Sequence, residues 1–189
     1  MTGDDAAARA ALRARQGDGA RYDAATAPQD DLLLARRATA YFARRLNALE
    51  DAALDAASRQ PGWTRRHVIA HVSYHARALA HLTEGLRTGL PPHGQTSDAA
   101  RTAEITLGAT LTARALRHLF EHTAKHLDVE WRDLPAGLWD SPVSQPGGPD
   151  IPIRATPHLR ALTLWQGALD LANGTIPTDI PPVLRPHLH

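Results

Sequence analysis

The stretch TRRHVIAHVSYHARALAHLTEGL, residues 64–86, decides how this chain folds. Val68, Val72, His75, Leu79, Leu82 and Leu86 recur at steps of four, three, four, three and four. That spacing puts one apolar stripe along a helix of 3.6 residues per turn. Thr64 stands where a helix cap belongs, and Gly89-Leu90-Pro91-Pro92 ends the run. The stripe contains a histidine, and His67, His71 and His75 stack on one side at steps of four.

The same pattern recurs on both sides. A first helix, capped by Asp30 or Asp31, carries Leu34, Ala38, Phe42, Leu46 and Leu49 and ends before Pro61-Gly62. Ser97 can start a short helix through Ile105. Thr112 caps a third long helix with Leu116, Leu119, Thr123, Leu127, Trp131 and Leu134 facing inward. Residues 135–155 are rich in proline and glycine and make a long crossing, with an extended pair expected around Val143 and Ile151–Ile153. Thr156 as a capping hydroxyl, followed by Pro157 in the first turn, opens a fourth long helix, which Asn173-Gly174 stops.

Composition agrees. The chain holds 35 Ala and 25 Leu against 5 Val and 6 Ile, so helix formers dominate and strand formers are scarce. The expectation is an all-α four-helix bundle over 28–174. A flexible extension over 1–27 and a Pro-rich tail over 175–189 flank it. With no cysteine, disulfides, thiolate metal sites and thiol nucleophiles are excluded. The net charge of +1 gives no broad field for nucleic acid or an anionic membrane surface. Neither a spanning segment nor a signal core is legible, so a cytoplasmic protein acting on a small molecule is expected, and a homodimer is compatible with the sequence.

Several separated blocks then resemble one family in order. They are Gly62-Trp63-Thr64-Arg65-Arg66-His67-Val68-Ile69-Ala70-His71-Val72, Arg87-Thr88-Gly89, Leu116-Arg117, Glu121-His122, Leu127-Asp128-Val129 with Trp131-Arg132, and finally Arg160, Trp165, Asp170-Leu171 and Asp179-Ile180-Pro181. Together they resemble the mycothiol-dependent maleylpyruvate isomerases of the DinB-like superfamily. The resemblance covers about residues 28–183. It implies a DinB-like bundle, a divalent metal (usually zinc) and, in some members, a low-molecular-weight thiol such as mycothiol. Isomerase-type members carry a further C-terminal domain beyond the point where this sequence ends.

The resemblance places the family's metal ligands, one His on the second helix and a Glu-x-x-x-His pair on the fourth, at His71, Thr163 and Gly167. Catalytic zinc normally keeps three protein ligands and an open position. The expectation is therefore no bound metal. A cavity lined by His71 and His75 would act as acid and base, and Tyr74, Arg160, Thr163 and Gly167 would bind the substrate. Gly167, where the family has a larger side chain, is expected to leave a hollow. Arg160 offers a planar fork for a carboxylate. Acid–base isomerisation, cyclisation or elimination would suit histidines that titrate near neutrality.

Two other readings stay open. One makes His71, His75 and His122 a rewired zinc site serving a mycothiol-dependent isomerase or transferase. The other has the chain bind a small molecule without turnover. His118, His122 and His126 are read as a half-exposed flank of the third helix, and Trp63, Trp131, Trp139 and Trp165 as core or pocket wall.

Overall fold

The computed structural model describes residues 23–90, 97–144 and 149–188. Five α-helices carry nearly all of the architecture: α1 Gln29–Asn47, α2 Arg65–Thr88, α3 Asp98–Gly108, α4 Ala113–Asp133 and α5 Thr156–Asp170. The four long ones form the bundle. Its principal seams join α2 to α4 and α1 to α5, while α2 also packs on α5 and on the short α3. The crossing from α4 to α5 contains a two-stranded antiparallel pair, β1 Pro142–Val143 and β2 Ile151–Pro152, with Val143 opposite Ile151.

Local chemistry sets most helix ends. Ser97 and Thr112 accept hydrogen bonds from Ala100 N and Ala115 N, as capping hydroxyls do. Gly89 closes α2 in the left-handed region at φ 72°. At the start of α2, the Thr64 backbone N–H donates to His67 Nδ1 at 3.3 Å, so His67 belongs to the cap.

Two starts differ from expectation. Asp30 and Asp31 do not cap α1. The helix begins at Gln29 behind Pro28, and both carboxylates sit in its first turn, where they meet the positive end of the helix dipole. Thr156 does not cap α5 either, because it is the first helical residue and fully buried. Its hydroxyl donates to Ile153 O at 2.7 Å and accepts from Trp131 Nε1 at 3.1 Å, tying the crossing to α4.

The core runs through Leu32, Phe42, Ile69, Val72, Leu116, Phe120, Leu127, Trp139, Ile153 and Leu164, all 2% exposed or less. Phe120, which the periodicity passed over in favour of Leu119, meets Phe42 at 5.0 Å between ring centroids. Buried Glu130 on α4 receives both arms of Arg87 from α2, at 3.0 and 3.2 Å.

Residues 23–27 already pack on the bundle. Asp23 pairs with Arg36, and Thr26 donates to Ala136 O. Residues 1–22, the rest of the expected extension, lie outside the described residues. The tail returns over the bundle, with Ile180 and Leu184 buried. No helix among the described residues is long and apolar enough to cross a membrane.

The Thr156 hydroxyl serves two buried partners, so Thr156→Val, which keeps shape and removes the oxygen, leaves both unsatisfied. Such a loss costs about 1–3 kcal/mol. A urea unfolding curve should show that decrease, and an unchanged midpoint would contradict the bridge.

Candidate functional site

α2 and α5 run antiparallel, so His71 on α2 faces the middle of α5. Between them lies a cleft of about 360 Å³ lined by His71, Trp63, Thr163, Gln166, Asp170 and the backbone of Gly167. Gln60 and the tail residues His187 and Leu188 complete its walls. Trp63 stands edge-on to the His71 ring at 5.5 Å. Gln166 Nε2 donates to Asp170 Oδ1 at 3.0 Å, which holds the amide against the cleft wall.

His75 sits one turn beyond His71, behind Thr163. Its Nε2 lies 3.5 Å from Thr163 Oγ1, at the outer limit of a hydrogen bond. The Thr163 hydroxyl donates to Leu159 O at 3.1 Å, and the buried Nδ1 of His75 has no partner.

The electrostatics are unusual. Burial lowers the His71 pKa to about 4, and the positive charges of Arg160 and Arg101 push the same way. His75 is driven well below the usual range, first by burial, then by Arg160 and His71. Both imidazoles are therefore neutral near pH 7 and able to accept a proton or a hydrogen bond. Burial raises the Asp170 carboxyl pKa.

The structure brings only some of the sequence candidates together. His71, Thr163 and Gly167 line the cleft, with His75 behind Thr163. Tyr74 does not reach it: its ring packs against Gly108 of α3, under the Arg77 guanidinium at 4.4 Å. Arg160 points away as well and lines a different cavity. His122 is exposed on the outer flank of α4, between His118 and His126. A His71, His75 and His122 set is not assembled, and the described residues contain no group of three His, Cys, Asp or Glu that could hold a metal.

The positions that the resemblance assigns to metal ligands hold one imidazole, a hydroxyl engaged with its own helix and a glycine. That donor set does not fit a three-ligand zinc site. Nor does Gly167 leave a hollow. A Cβ there would stand 2.7 Å from Val72 Cγ2 and 3.2 Å from Phe42 Cε2, so α5 has closed onto α2 and α1. Gln60, Gln166, His187 and Leu188 were missed by the sequence reading. Gln166 alone left a signal, lying one helical turn from Thr163.

The family model of the mycothiol maleylpyruvate isomerase N-terminal domain matches residues 35–172. Two solved structures, of the mycothiol-dependent maleylpyruvate isomerase and of a histidine-to-alanine mutant of it, superpose with a TM-score of 0.78 and 37% identity. The match covers 82% of this chain and 65% of theirs, so this chain spans about two thirds of those proteins' length. Comparison with curated proteins finds no match. The bundle has the fold of these isomerases, the DinB-like arrangement.

In the unfolded chain His71 takes up a proton near pH 6.5, in the folded chain only near pH 4. Its contribution to stability is thus complete above pH 6.5 and is lost as pH falls toward 4. Urea unfolding across that range should show a shallower decline for His71→Gln than for the parent; equal slopes would refute the burial argument.

Gly167→Ala gains about 1 kcal/mol of helix propensity but forces a methyl onto Val72, and overpacking costs about 1–3 kcal/mol. The variant should be destabilised, and less so in a Val72→Ala background. Additive effects of the two changes would show that the close approach is absent.

Proposed function

Because this chain belongs to the mycothiol maleylpyruvate isomerase N-terminal domain family, we propose that its α2/α5 cleft performs acid–base chemistry on a small molecule with its own side chains, independently of a resident metal. The observation that carries this reading is the neutral, half-buried His71 in the cleft; the resemblance assigns it to a metal ligand, with Thr163 and Gly167 in the other two ligand places.

His71 would act as the proton acceptor. A β,γ-unsaturated carbonyl compound loses its α proton to the imidazole, and the dienolate takes that proton back at the γ carbon, which moves the double bond and is an isomerisation. The low basicity of His71 comes from burial and from the positive charge of Arg160. A negatively charged substrate seated beside it opposes the second cause and raises the affinity for the proton when it is needed. Gln166 and Asp170 supply polar contacts to orient the substrate, and Trp63 walls the ring. His75 lies behind Thr163 and would position that hydroxyl.

A second reading is favoured by the family match: mycothiol enters as a thiol co-substrate. Gln60, Gln166 and Asp170 would hold it by hydrogen bonds and His71 would accept the thiol proton. The thiol would supply a nucleophile that this cysteine-free chain lacks.

One experiment separates the readings. Purified protein is incubated in D2O with maleylpyruvate or a related unsaturated oxo acid, with and without mycothiol, and deuterium incorporation and product are followed by NMR. The proposal expects metal-chelated protein to catalyse exchange without thiol, and His71→Ala to lose about 10²–10⁴-fold in rate. Turnover that requires mycothiol would favour the second reading. Turnover that appears only with added zinc would overturn the first.

A further inference from the structure

The outer face of α4 carries a row of imidazoles that the cleft does not use. His118, His122 and His126 follow one another at one-turn intervals, with neighbouring ring centroids 6.3 Å apart. The row continues onto α2, where His81 stands edge-on to His126 at 6.3 Å.

The two ends of the row differ. His126 is half-buried and turned inward. Its Nε2 lies 3.6 Å from Glu130 Oε1, on the carboxylate that Arg87 grips, and its ring meets His81. His118 and His122 are exposed, and their ring planes are parallel to within 6°. Among the described residues no hydrogen bond or ion pair holds either ring. Both line an open groove of about 490 Å³ along α4, together with Thr112 and Arg114. Solvent reaches both, and exposed side chains of this kind change rotamer freely.

Neutral imidazole is a ligand for copper, nickel and zinc, and two imidazoles one turn apart on a helix face can hold one ion. An ion about 2.0–2.1 Å from each nitrogen sets the nitrogens about 3 Å apart. Side chains one turn apart start about 5–6 Å from each other at Cβ, so the two free rings need only tilt together. His126 would have to turn away from Glu130 and His81 to join them.

The number of donors selects the metal. The described residues hold no group of three that could bind an ion. Zinc sites ordinarily take three or four protein ligands in a tetrahedron. Copper(II) prefers a tetragonal plane, where two imidazoles fill adjacent corners and water the others, and it stands highest in the affinity order of the divalent ions. Glu121 and Lys125, each three residues after one of the histidines, are exposed and opposite in sign. Arg114, a turn before His118, is exposed too, and salt screens its repulsion.

We propose that His118 and His122 form a two-imidazole binding site for copper(II), with water in the remaining positions. This inference stands apart from the reading of the α2/α5 cleft, because the groove and the cleft share no lining residue.

The test is titration calorimetry with copper(II), nickel(II) and zinc(II) chlorides in a non-coordinating buffer at pH 7. A first copper ion should bind with a Kd of about 1–100 µM, since two ligands supply about half the binding free energy of a closed four-ligand site. Nickel and zinc should bind about tenfold more weakly or worse. His118→Ala and His122→Ala should each weaken copper at least about tenfold, and both positions are exposed, so neither change endangers the fold. His126→Ala, His71→Ala and His187→Ala should leave the affinity within about twofold. The electron paramagnetic resonance of the copper-loaded protein should show two coordinated nitrogens. No binding in that range, zinc held as tightly as copper, affinity unaltered by His118→Ala or His122→Ala, or binding lost in His126→Ala, His71→Ala or His187→Ala would each overturn the proposal.

Discussion

Val72 is the fulcrum of this bundle. Its side chain presses on the bare backbone of Gly167, and its carbonyl receives the guanidinium of Arg160. Both contacts join α2 to α5, two turns apart along α5, so they fix the height and the rotation of one helix against the other. With α5 held there, Thr163 must fall between them and meet His75, while His71 must open onto the cleft beyond. A larger residue at 167 would push α5 outward, since Val72 Cγ2 and Phe42 Cε2 already occupy the space. The geometry of the cleft is thus a packing consequence of one missing side chain.

The same contact arranges the charge. Arg160 enters the interior on the helix that carries Thr163, and its field reaches both His71 and His75. In a medium of low polarity an uncompensated cation acts over a longer range than at the surface. It keeps the neighbouring imidazoles neutral, while burial does the larger part of that work. Hydrogen bonding does not: the His75 Nδ1 and the Arg160 Nη2 are both left without partners.

The helices were legible because burial and period agree. The steps of three and four in 68–86 marked the inward face of α2, and Ser97 and Thr112 cap where their hydroxyls suggested. Short-range rules failed where tertiary contacts compete. Thr156 reads as a cap, yet Trp131 and Ile153 claim its hydroxyl and draw it inside the helix. Tyr74, three residues from His71, was placed beside it. A step of three leaves about 60° of rotation, and that is enough to turn the ring onto α3. The hollow expected at Gly167 was an inference about volume, and volume depends on the distance between helices, which no single sequence encodes. His187 joins the cleft only because the tail returns over the bundle, and nothing local announces that path.

Arg160 was read as a carboxylate ligand for the cleft of His71, from its place on the same strip of α5. The residue type was informative, but the strip was too coarse a guide to direction. A long side chain near the start of α5 can pass on either side of the helices it meets, and the choice is made by its neighbours. Val72 O draws the guanidinium inward, where the packed core closes around it. From there its charge acts on His71 and His75, although its guanidinium never enters their cleft.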